Sequence, residues 1–282
     1  MTRVLRTRAE LRAALGTTRR PVGLVPTMGW LHDGHRSLIR RARADNPTAV
    51  VSIFVNPRQF NRADDFTKYP RNEDRDVAVC ADEGVDLVWA PPVDEVYVPG
   101  FDSTVSVGAI AGPLEGAARP GHFDGVATVV AILFGLVGAE HAYFGQKDAQ
   151  QVMVIRRMAR DLALPTDVIA CPTVREPDGL ALSSRNVHLS PIERAAAPVL
   201  HRALRAATER WAAGERSGEV LRETMSGILS AEPLATPEYV SVADALTLAE
   251  LDQVERSALL SLAVRIGATR LIDNELLDAG SA

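Results

Sequence analysis

Short apolar runs alternate with segments of helical spacing over the first part of the chain, as far as Cys171. Runs without polar alternation predict strands of a parallel sheet, because both faces of such a sheet are covered. The predicted strands are Val22–Val25, Ala49–Val55, Val85–Ala90, Thr104–Val107, His141–Phe144 and Thr166–Cys171. The predicted helices are Arg8–Leu15, Gly34–Ala44, Arg71–Glu83, His122–Val137 and one that follows Asp148 and ends near Asp161. This alternation predicts a Rossmann-like α/β fold, with right-handed crossovers and helices on both faces of the sheet.

The pattern changes after Pro172, where helices come first and strands follow. The predicted elements are helices Pro191–Ala213 and Ser217–Ser230, and then strands Tyr239–Val242, Ala263–Ile266 and Thr269–Ile272. Helices followed by strands are typical of a small α+β domain. We therefore expect a Rossmann-like domain at residues 1–174 and a smaller C-terminal α+β domain at residues 175–282.

A stretch rich in glycine and histidine, Pro26–His35, lies where the first predicted buried strand passes into a helix. Ligands of open α/β sheets bind at the carboxyl ends of strands, and a helix start offers unpaired N–H groups to an anion. Gly29 and Gly34 would let the backbone approach a phosphate, and His32 and His35 can lie on one side of the first helical turn. The stretch therefore indicates a phosphate site. A zinc site lacks nearby further ligands in the sequence, and an ordinary solvated helix start stays open as an alternative.

Composition and charge exclude several other classes of protein. The chain has 282 residues, a net charge of −5 and a sequence pI of about 5.7, so we expect no general attraction to nucleic acid or anionic membranes. Cys80 and Cys171 fit neither a metal nor a redox spacing, and the N-terminus has no apolar signal region. The longest uncharged run, Val126–Ala139, is too short to span a bilayer. We expect a soluble cytoplasmic protein with no nucleic-acid or membrane partner.

Two polar segments directly follow predicted strands. In Asn56–Phe60, the Gln59 amide can donate and accept, which suits a small ligand that carries a hydroxyl and a carboxylate. In Gly145–Gln151, Lys147 lies where a helix begins and suits a phosphate. Taken alone, each of these two side chains is also compatible with an ordinary solvated position.

Two further segments belong to loops. Arg119–Gly125 is a second helix start framed by glycine and bearing cationic groups, although Asp124 could simply cap that helix. Ser183–Asn186 lies in a loop after the first domain, where two hydroxyls and a guanidinium could bind polyphosphate and the loop could close the site. An interdomain linker with helix caps is the alternative for this second segment.

Neither GxxxxGK[ST] nor GxGxxG occurs, so P-loop and dinucleotide-binding proteins lose their main support. Six motifs in order resemble instead the pantoate–β-alanine ligase family of the nucleotidyltransferase superfamily. They are PTMGWLHDGH, SIFVNPRQF, YPRNEDRD, RPGHFDGVATVV, FGQKDAQQ and REPDGLALSSRN. The resemblance runs from about Val22 to Leu189 and continues more loosely from Glu238. The histidine motif alone is shared across the superfamily, whereas the six motifs together are specific.

The resemblance implies that pantoate is joined to β-alanine with ATP as a further substrate, through a pantoyl adenylate, with release of AMP and pyrophosphate. By matched position it assigns ATP binding to Met28, Gly29, Trp30, Leu31, His32, Asp33, Gly34, His35, Gly145, Gln146, Lys147, Asp148, Val174, Leu182, Ser183, Ser184 and Arg185. It assigns substrate binding to Gln59, for pantoate and later β-alanine, to Gln151, for pantoate, and to Asn56, Arg119 and His122. It implies catalytic roles for His32, His35, Lys147, Ser183, Ser184 and Arg185, with His35 as the proton donor.

Family members use Mg2+ with ATP and are usually homodimers, so the resemblance implies both here. The metal would rest largely on phosphate oxygens, and no protein ligand is assigned to it. The sequence departs from the family at Leu182, which stands where Met usually precedes Ser-Ser-Arg. Because this change conserves volume, we expect little effect. The C-terminal domain would act as a lid for the nucleotide- and pantoate-binding domain.

Two other functions are weighed against this one. A plain nucleotidyltransferase would stop after nucleotide transfer to a phosphorylated substrate. Gln59 and Gln151 argue against it, because neutral amides stand where a further phosphate would call for cations. A non-catalytic nucleotide-binding regulator would not need His35 and Lys147, and the intact motifs disfavour it.

Overall fold

The computed structural model describes residues 1–61 and 63–278 of the chain. It divides into two compact units, Met1–Pro172 and Thr173–Ala282. The domain boundary expected from the sequence lies at residue 174. Within the described residues, no helix has the length and apolar character needed to cross a membrane.

The first unit is built on a six-stranded parallel sheet with the strand order β1-β4-β3-β2-β5-β6. Its strands are β1 Arg3–Leu5, β2 Val22–Thr27, β3 Thr48–Ile53, β4 Leu87–Trp89, β5 His141–Gly145 and β6 Asp167–Cys171. The short strand β1 was not predicted from the sequence. It pairs with β4 at the edge of the sheet, and only its last residue, Leu5, is buried.

The eight helices described in this unit are α1 Arg8–Leu15, α2 Asp33–Asp45, α3 Ala63–Lys68, α4 Glu73–Asp82, α5 Val93–Val96, α6 Glu115–Ala118, α7 His122–Val137 and α8 Ala149–Asp161. In the central strands, Val25, Val51 and Val88 pack with side chains of α2 and α4. Their neighbours Leu24 and Val50 point to the opposite face and are also buried. Both faces of the sheet are therefore covered, which confirms the predicted Rossmann-like fold.

The prediction of a strand at Thr104–Val107 is wrong, because this segment forms neither a strand nor a helix. Its apolar residues alternate with polar ones, which mimics a strand. In the structure the N–H of Val105 donates to the Thr128 hydroxyl on α7 at 2.9 Å. This backbone group is thus satisfied by a helix side chain instead of a neighbouring strand.

The order of the strands reverses between β2 and β5. From β2 the chain proceeds outward through β3 and β4, whereas β5 and β6 extend the sheet on the other side of β2. The paired positions of β2 and β5 are Gly23 with His141 and Leu24 with Ala142, although both strands continue beyond them. The two strands therefore separate toward their carboxyl ends, and such a switch point is where open α/β sheets bind ligands.

The second unit contains three helices, α9 Pro191–Ala196, α10 Val199–Ala212 and α11 Gly218–Ser230, among its described residues. They are followed by an antiparallel sheet, β7 Ala235–Asp244, β8 Ala258–Ile266 and β9 Thr269–Leu277, in the order β7-β8-β9. This confirms the expected smaller α+β fold. The single helix predicted at Pro191–Ala213 is wrong, since it ends at Ala196 and a new one begins after Pro198. Proline lacks the N–H that would continue the first helix.

A buried ion pair attaches the loop after residue 174 to the sheet of its own unit. Arg175 donates from both terminal nitrogens to the carboxylate of Asp273 on β9, at 2.6 and 3.0 Å. It also donates to the carbonyl of Gly179 at 3.1 Å, so it closes the loop on itself. Asp273 is 3% exposed, so its carboxylate is largely removed from water and is compensated there by the Arg175 guanidinium.

Asp273→Ala should therefore lower the free energy of unfolding by about 3 kcal/mol, because it leaves the Arg175 guanidinium half-buried with its main partner removed. Urea denaturation of the variant would measure this. The matched control is Glu209→Ala, which breaks the exposed Arg205–Glu209 pair on α10 and should cost less than about 1 kcal/mol. Equal losses from the two variants would contradict the importance assigned to the buried pair.

Candidate active site

The loops that follow three neighbouring strands lie at the switch point. Residues 28–35 follow β2, the 3-10 turn Pro57–Gln59 follows β3, and the 3-10 turn Gln146–Asp148 follows β5. The carboxyl ends of parallel strands lie at one edge of the sheet, so the three loops belong to one region. Three of the segments singled out in the sequence are thereby brought to the same edge.

The turn after β2 has an unusual backbone. Gly29 has a φ of 80° and Trp30 a φ of 53°, so two consecutive residues lie in the left-handed region. The hydroxyl of Thr27, which itself donates to the carbonyl of Ser52, accepts from the N–H of Gly29 at 3.2 Å. Such a backbone costs free energy, especially for Trp30, and requires stabilising contacts from its surroundings.

Asp76 on α4 provides the main contact of this kind. Its carboxylate is 1% exposed and accepts from the N–H of Trp30 at 2.7 Å and from that of Leu31 at 2.8 Å. The neighbouring Arg75 donates to the carbonyl of Leu31 at 2.8 Å and lies over the Trp30 ring at 5.0 Å. The motif YPRNEDRD contains both residues, but nothing in its spacing shows that they contact the turn after β2.

The Asp76 carboxylate explains why position 29 is a glycine. A Cβ there would lie 2.8 Å from the Asp76 carboxylate, in addition to the strain of the positive φ. The glycine is thus required by the close approach of a carboxylate within the protein. The N–H groups of Gly29, Trp30 and Leu31 are all satisfied internally, so the unpaired N–H groups expected for an anion are absent at these positions.

Two imidazoles at the start of α2 offer hydrogen bonds instead. The Nδ1 of His32 accepts from the N–H of Gly34 at 3.1 Å, and the Nδ1 of His35 accepts from the N–H of His32 at 3.3 Å. A nitrogen that accepts carries no proton, so each neutral ring must carry its proton on Nε2. The two ring centroids are 4.1 Å apart. The motif therefore presents two adjacent Nε2–H donors.

Electrostatics keeps both rings neutral. Burial lowers the pKa of His32 to about 4, and the positive charge of Lys147 lowers it further than any other charge. Burial lowers the pKa of His35 to about 3, helped by His32. Since the charge of Lys147 acts on both imidazoles, the loops after β2 and β5 form one cluster. The Asp148 carboxylate opposes the effect of Lys147 on the pKa of both rings, and Asp33 also opposes it at His32.

Gln59 is the centre of a second cluster, at the end of β3. Its side chain is 8% exposed and donates through Nε2 to the sulfur of Met28 at 3.0 Å. Gly125 on α7 allows the turn to lie against the helix, because a Cβ there would come 2.3 Å from the carbonyl oxygen of Arg58. The structure thus brings Gln59 beside the first residue of the histidine-containing turn.

Arg119 and His122 contact the main chain of Gln59. The Nδ1 of His122 donates to the carbonyl of Gln59 at 2.8 Å, and Arg119 donates to the same oxygen at 3.1 Å. The guanidinium also donates to the Nε2 of His122 at 3.2 Å. Burial, helped by Arg119, lowers the pKa of His122 to about 4, so the ring is neutral and its two nitrogens keep these roles. Both residues hold the Gln59 turn in place.

The first turn of α8 carries two glutamines in different environments. Gln150 is 5% exposed and donates to the carbonyls of Ile110 and Pro113, so it supports the neighbouring loop. Gln151, the residue expected to bind substrate, is only partly buried. Gln150 therefore has a structural role, whereas the side chain of Gln151 is partly accessible to solvent in the region after β5.

The remaining predicted residues lie in the second unit. The N–H of Leu182 donates to the carbonyl of Val174 at 3.0 Å, across the base of the loop closed by Arg175. The Ser183 hydroxyl accepts from the N–H of Arg185 at 3.2 Å and caps the 3-10 turn that begins at Ser184. The Arg185 side chain is exposed.

The side chains of this site would supply few ligands to a magnesium ion. Among the described residues there is no group of three or more His, Cys, Asp or Glu side chains that could hold a metal ion. Mg2+ commonly keeps several waters and binds through one or two carboxylates together with substrate phosphates. Asp148, whose carboxylate lies 3.5 Å from the Lys147 ammonium, is one carboxylate of these loops that would suit such an arrangement.

Comparison with known proteins gives one consistent result. Residues 3–276 match a family model described as pantoate-beta-alanine ligase. The pantothenate synthetase of Roseiflexus sp. strain RS-1 is 61% identical over 277 residues, which cover 98% of this chain and 100% of that protein. The pantothenate synthetase of Chloroflexus aggregans is 59% identical over 275 residues, covering 97% of this chain and 99% of the relative.

Solved structures agree with these relatives. The crystal structure of pantothenate synthetase from Thermus thermophilus has a TM-score of 0.93 and 49% identity, covering 97% of this chain and 98% of that one. The pantoate-beta-alanine ligase from Francisella tularensis, complexed with beta-gamma ATP and β-alanine, has a TM-score of 0.81 and 33% identity, with 98% of each chain covered.

We expect His32 and His35 to be neutral Nε2–H tautomers in the ligand-free protein at pH 6, where an unperturbed histidine is mostly protonated. Nitrogen-15 NMR of labelled histidines would measure this.

The low pKa of His32 also makes stability depend on pH. Below pH 6.5 the unfolded chain binds a proton at this residue, whereas the folded protein binds it only near pH 4. The free energy of unfolding should therefore fall with falling pH in this window, by roughly 1 kcal/mol per pH unit for His32. A His32→Gln variant should show a shallower slope, and a ring titrating near pH 6.5 would contradict the assignment.

Asp76→Asn should destabilise the protein by about 2 kcal/mol and reduce turnover. The carboxylate accepts hydrogen bonds from two backbone N–H groups, and in the variant one of these would face the NH2 group of the amide, which cannot accept. Thermal or urea unfolding together with steady-state kinetics would measure both effects. Asp74→Asn is the matched control, since Asp74 is exposed on the same helix and should change neither quantity much. Unchanged stability in Asp76→Asn would show that the turn does not depend on this carboxylate.

Proposed function

This chain belongs to the pantoate-beta-alanine ligase family, and we propose that it condenses pantoate with β-alanine through a pantoyl adenylate, using ATP and releasing AMP and pyrophosphate. It is an enzyme, a carbon–nitrogen ligase. A carboxylate is a poor acyl donor, so attachment of AMP supplies a leaving group. The amine of β-alanine then attacks the activated acyl carbon, which forms the amide.

The observation that carries this proposal is the cluster of donors at the switch point. His32 and His35 present two neutral Nε2–H groups, and Lys147 adds a positive charge that acts on both rings. We assign these three side chains to the phosphates of ATP. Donors that are fixed before the reaction stabilise the negative charge that develops on a phosphate during nucleotidyl transfer. The flanking residues expected to bind ATP lie in the same two loops.

Gln59 and Gln151 are assigned to pantoate. Gln59 lies beside Met28 and is held by Arg119 and His122, so its position is fixed relative to the β2 turn. Neutral amides suit a ligand with a hydroxyl and one carboxylate. β-Alanine is bound in the related structure from Francisella tularensis, and we extend that substrate to this chain.

Further parts of the proposal rest on the family resemblance. Val174 and Leu182, together with Ser183, Ser184 and Arg185, are assigned to the nucleotide, and the second unit, to which they belong, is assigned the role of a lid. Mg2+ would neutralise the phosphates and be held mainly by their oxygens, and the Asp148 carboxylate would be available as a further ligand. Homodimeric assembly and a cytoplasmic location belong to the same proposal. Sedimentation and metal titration would test the assembly and the metal.

The experiment that tests the function measures AMP and pantothenate formed from ATP, Mg2+ and pantoate, with and without β-alanine. We expect the two products in equal amounts, and only when β-alanine is present. Release of pyrophosphate without the amide would favour a plain nucleotidyltransferase. The absence of any turnover would favour a nucleotide-binding regulator.

Lys147→Ala should lower kcat/KM for adenylation by about 100-fold or more, since removal of one preorganised group that stabilises the transition state has an effect of this size. Pyrophosphate release would measure it. Lys147→Arg keeps the charge and should retain more activity, and circular dichroism should show that both variants fold. Unchanged turnover in the alanine variant would exclude the phosphate role.

A further inference from the structure

Three hydrogen bonds in series connect Tyr97 to the turn after β2. The Tyr97 hydroxyl donates to the Oδ1 of Asn56 at 2.7 Å. The Nδ2 of Asn56 donates to the Oε1 of Gln59 at 3.0 Å. The Nε2 of Gln59 then donates to the sulfur of Met28 at 3.0 Å. All donors in this series point in one direction, from the aromatic ring toward the candidate active site.

The amide of Asn56 has only one possible orientation. Its Oδ1 accepts from the N–H of Arg58 at 3.2 Å as well as from Tyr97, and its Nδ2 donates to the carbonyl of Gly125 at 3.0 Å as well as to Gln59. A flipped amide would place its NH2 against an N–H and its oxygen against a carbonyl. Asn56 is 1% exposed and uses both donors and both acceptor positions inside the protein. It therefore orients other groups and has no capacity left for a ligand.

The orientation of Asn56 determines that of Gln59. Because Asn56 donates, the Gln59 group that faces it must be Oε1, and Nε2 must face the other way, toward Met28. A thioether sulfur is only a weak acceptor. Exchange of this sulfur for a carboxylate or hydroxyl oxygen would give a stronger hydrogen bond at the same nitrogen. Gln59 is thus prepared to donate to an oxygen of a ligand.

Tyr97 is held in place independently of its hydroxyl. Its ring packs on Phe101 at 5.0 Å and near Phe54 at 6.1 Å, and the Arg58 guanidinium lies over it at 5.5 Å. Burial raises the pKa of Tyr97 to about 12, so the hydroxyl keeps its proton at any ordinary pH. A phenylalanine at this position would keep the packing and remove only the first hydrogen bond of the series.

We propose that Tyr97 is a positioning residue whose hydroxyl holds the Asn56 amide in place, and that Asn56, oriented by the main chain, directs the Gln59 nitrogen to donate to a carboxylate or hydroxyl oxygen of pantoate. The inference rests on the proposed function and deepens it. It assigns to Gln59 the polarity of a donor, and it extends the pantoate-binding apparatus to two residues that do not touch the ligand.

Tyr97→Phe should raise the KM for pantoate about fivefold, while the KM for ATP and kcat stay within about twofold of the wild type, since one neutral hydrogen bond is lost. Steady-state kinetics with each substrate varied in turn would measure this split. The matched control is Tyr143→Phe. The Tyr143 hydroxyl is also buried and bonded, to Asp45 and Asn46 at the end of α2, away from the carboxyl ends of the strands. It should lower thermal stability without the split in KM.

The polarity of Gln59 is tested by comparing Gln59→Glu with Gln59→Ala. The isosteric glutamate would accept from Asn56 and present a second oxygen to pantoate, so its KM for pantoate should exceed that of the alanine variant. The reverse order would overturn the donor assignment. An unchanged pantoate KM in Tyr97→Phe, or equal shifts for pantoate and ATP, would overturn the role of Tyr97. A wild-type enzyme that forms no pantothenate would instead overturn the proposed function itself.

Discussion

The buried carboxylate of Asp76 is the contact on which the candidate active site depends. The turn it binds contains two consecutive residues with positive φ, and such a backbone is not stable without external hydrogen bonds. The Asp76 carboxylate, which is 1% exposed, in turn requires hydrogen-bond donors, because burying a charged group without them costs free energy. The turn and helix α4 therefore stabilise each other. Once the turn is fixed, His32 caps α2 and both imidazoles acquire defined positions.

The direction of hydrogen bonds is the common property of this site. Backbone N–H groups force Nδ1 of each histidine to accept, which leaves both Nε2–H groups as donors. Backbone groups likewise orient Asn56, and Asn56 orients Gln59 as a donor. With the ammonium of Lys147, these groups form a set that matches ligands rich in acceptors, such as phosphates and a carboxylate. The polarity is set by the main chain, so it exists before any ligand binds.

Most of the fold could be predicted because its strands are buried on both faces and its helices have regular spacing. α1 and α7 were predicted at their observed bounds, and the parallel sheet and the smaller α+β unit were confirmed. The errors arose where local pattern and tertiary context disagree. β1 is a short edge strand with one buried residue, Thr104–Val107 has strand-like alternation without a partner strand, and Pro198 interrupts a pattern that is otherwise helical.

The sequence by itself determined the family, through six motifs in order, and it indicated the segments that we propose to carry the chemistry. It could do so because residue types and spacing are local properties that the chain retains in any conformation. Only the tertiary structure decided how those residues are placed and which of their groups donate or accept. Asp76 and Tyr97 lie far in sequence from the groups they hold in place, and the tautomers of His32 and His35 follow from distances that no spacing encodes. A hydrogen bond has a direction only when both partners are placed, and folding alone places partners that are distant along the chain.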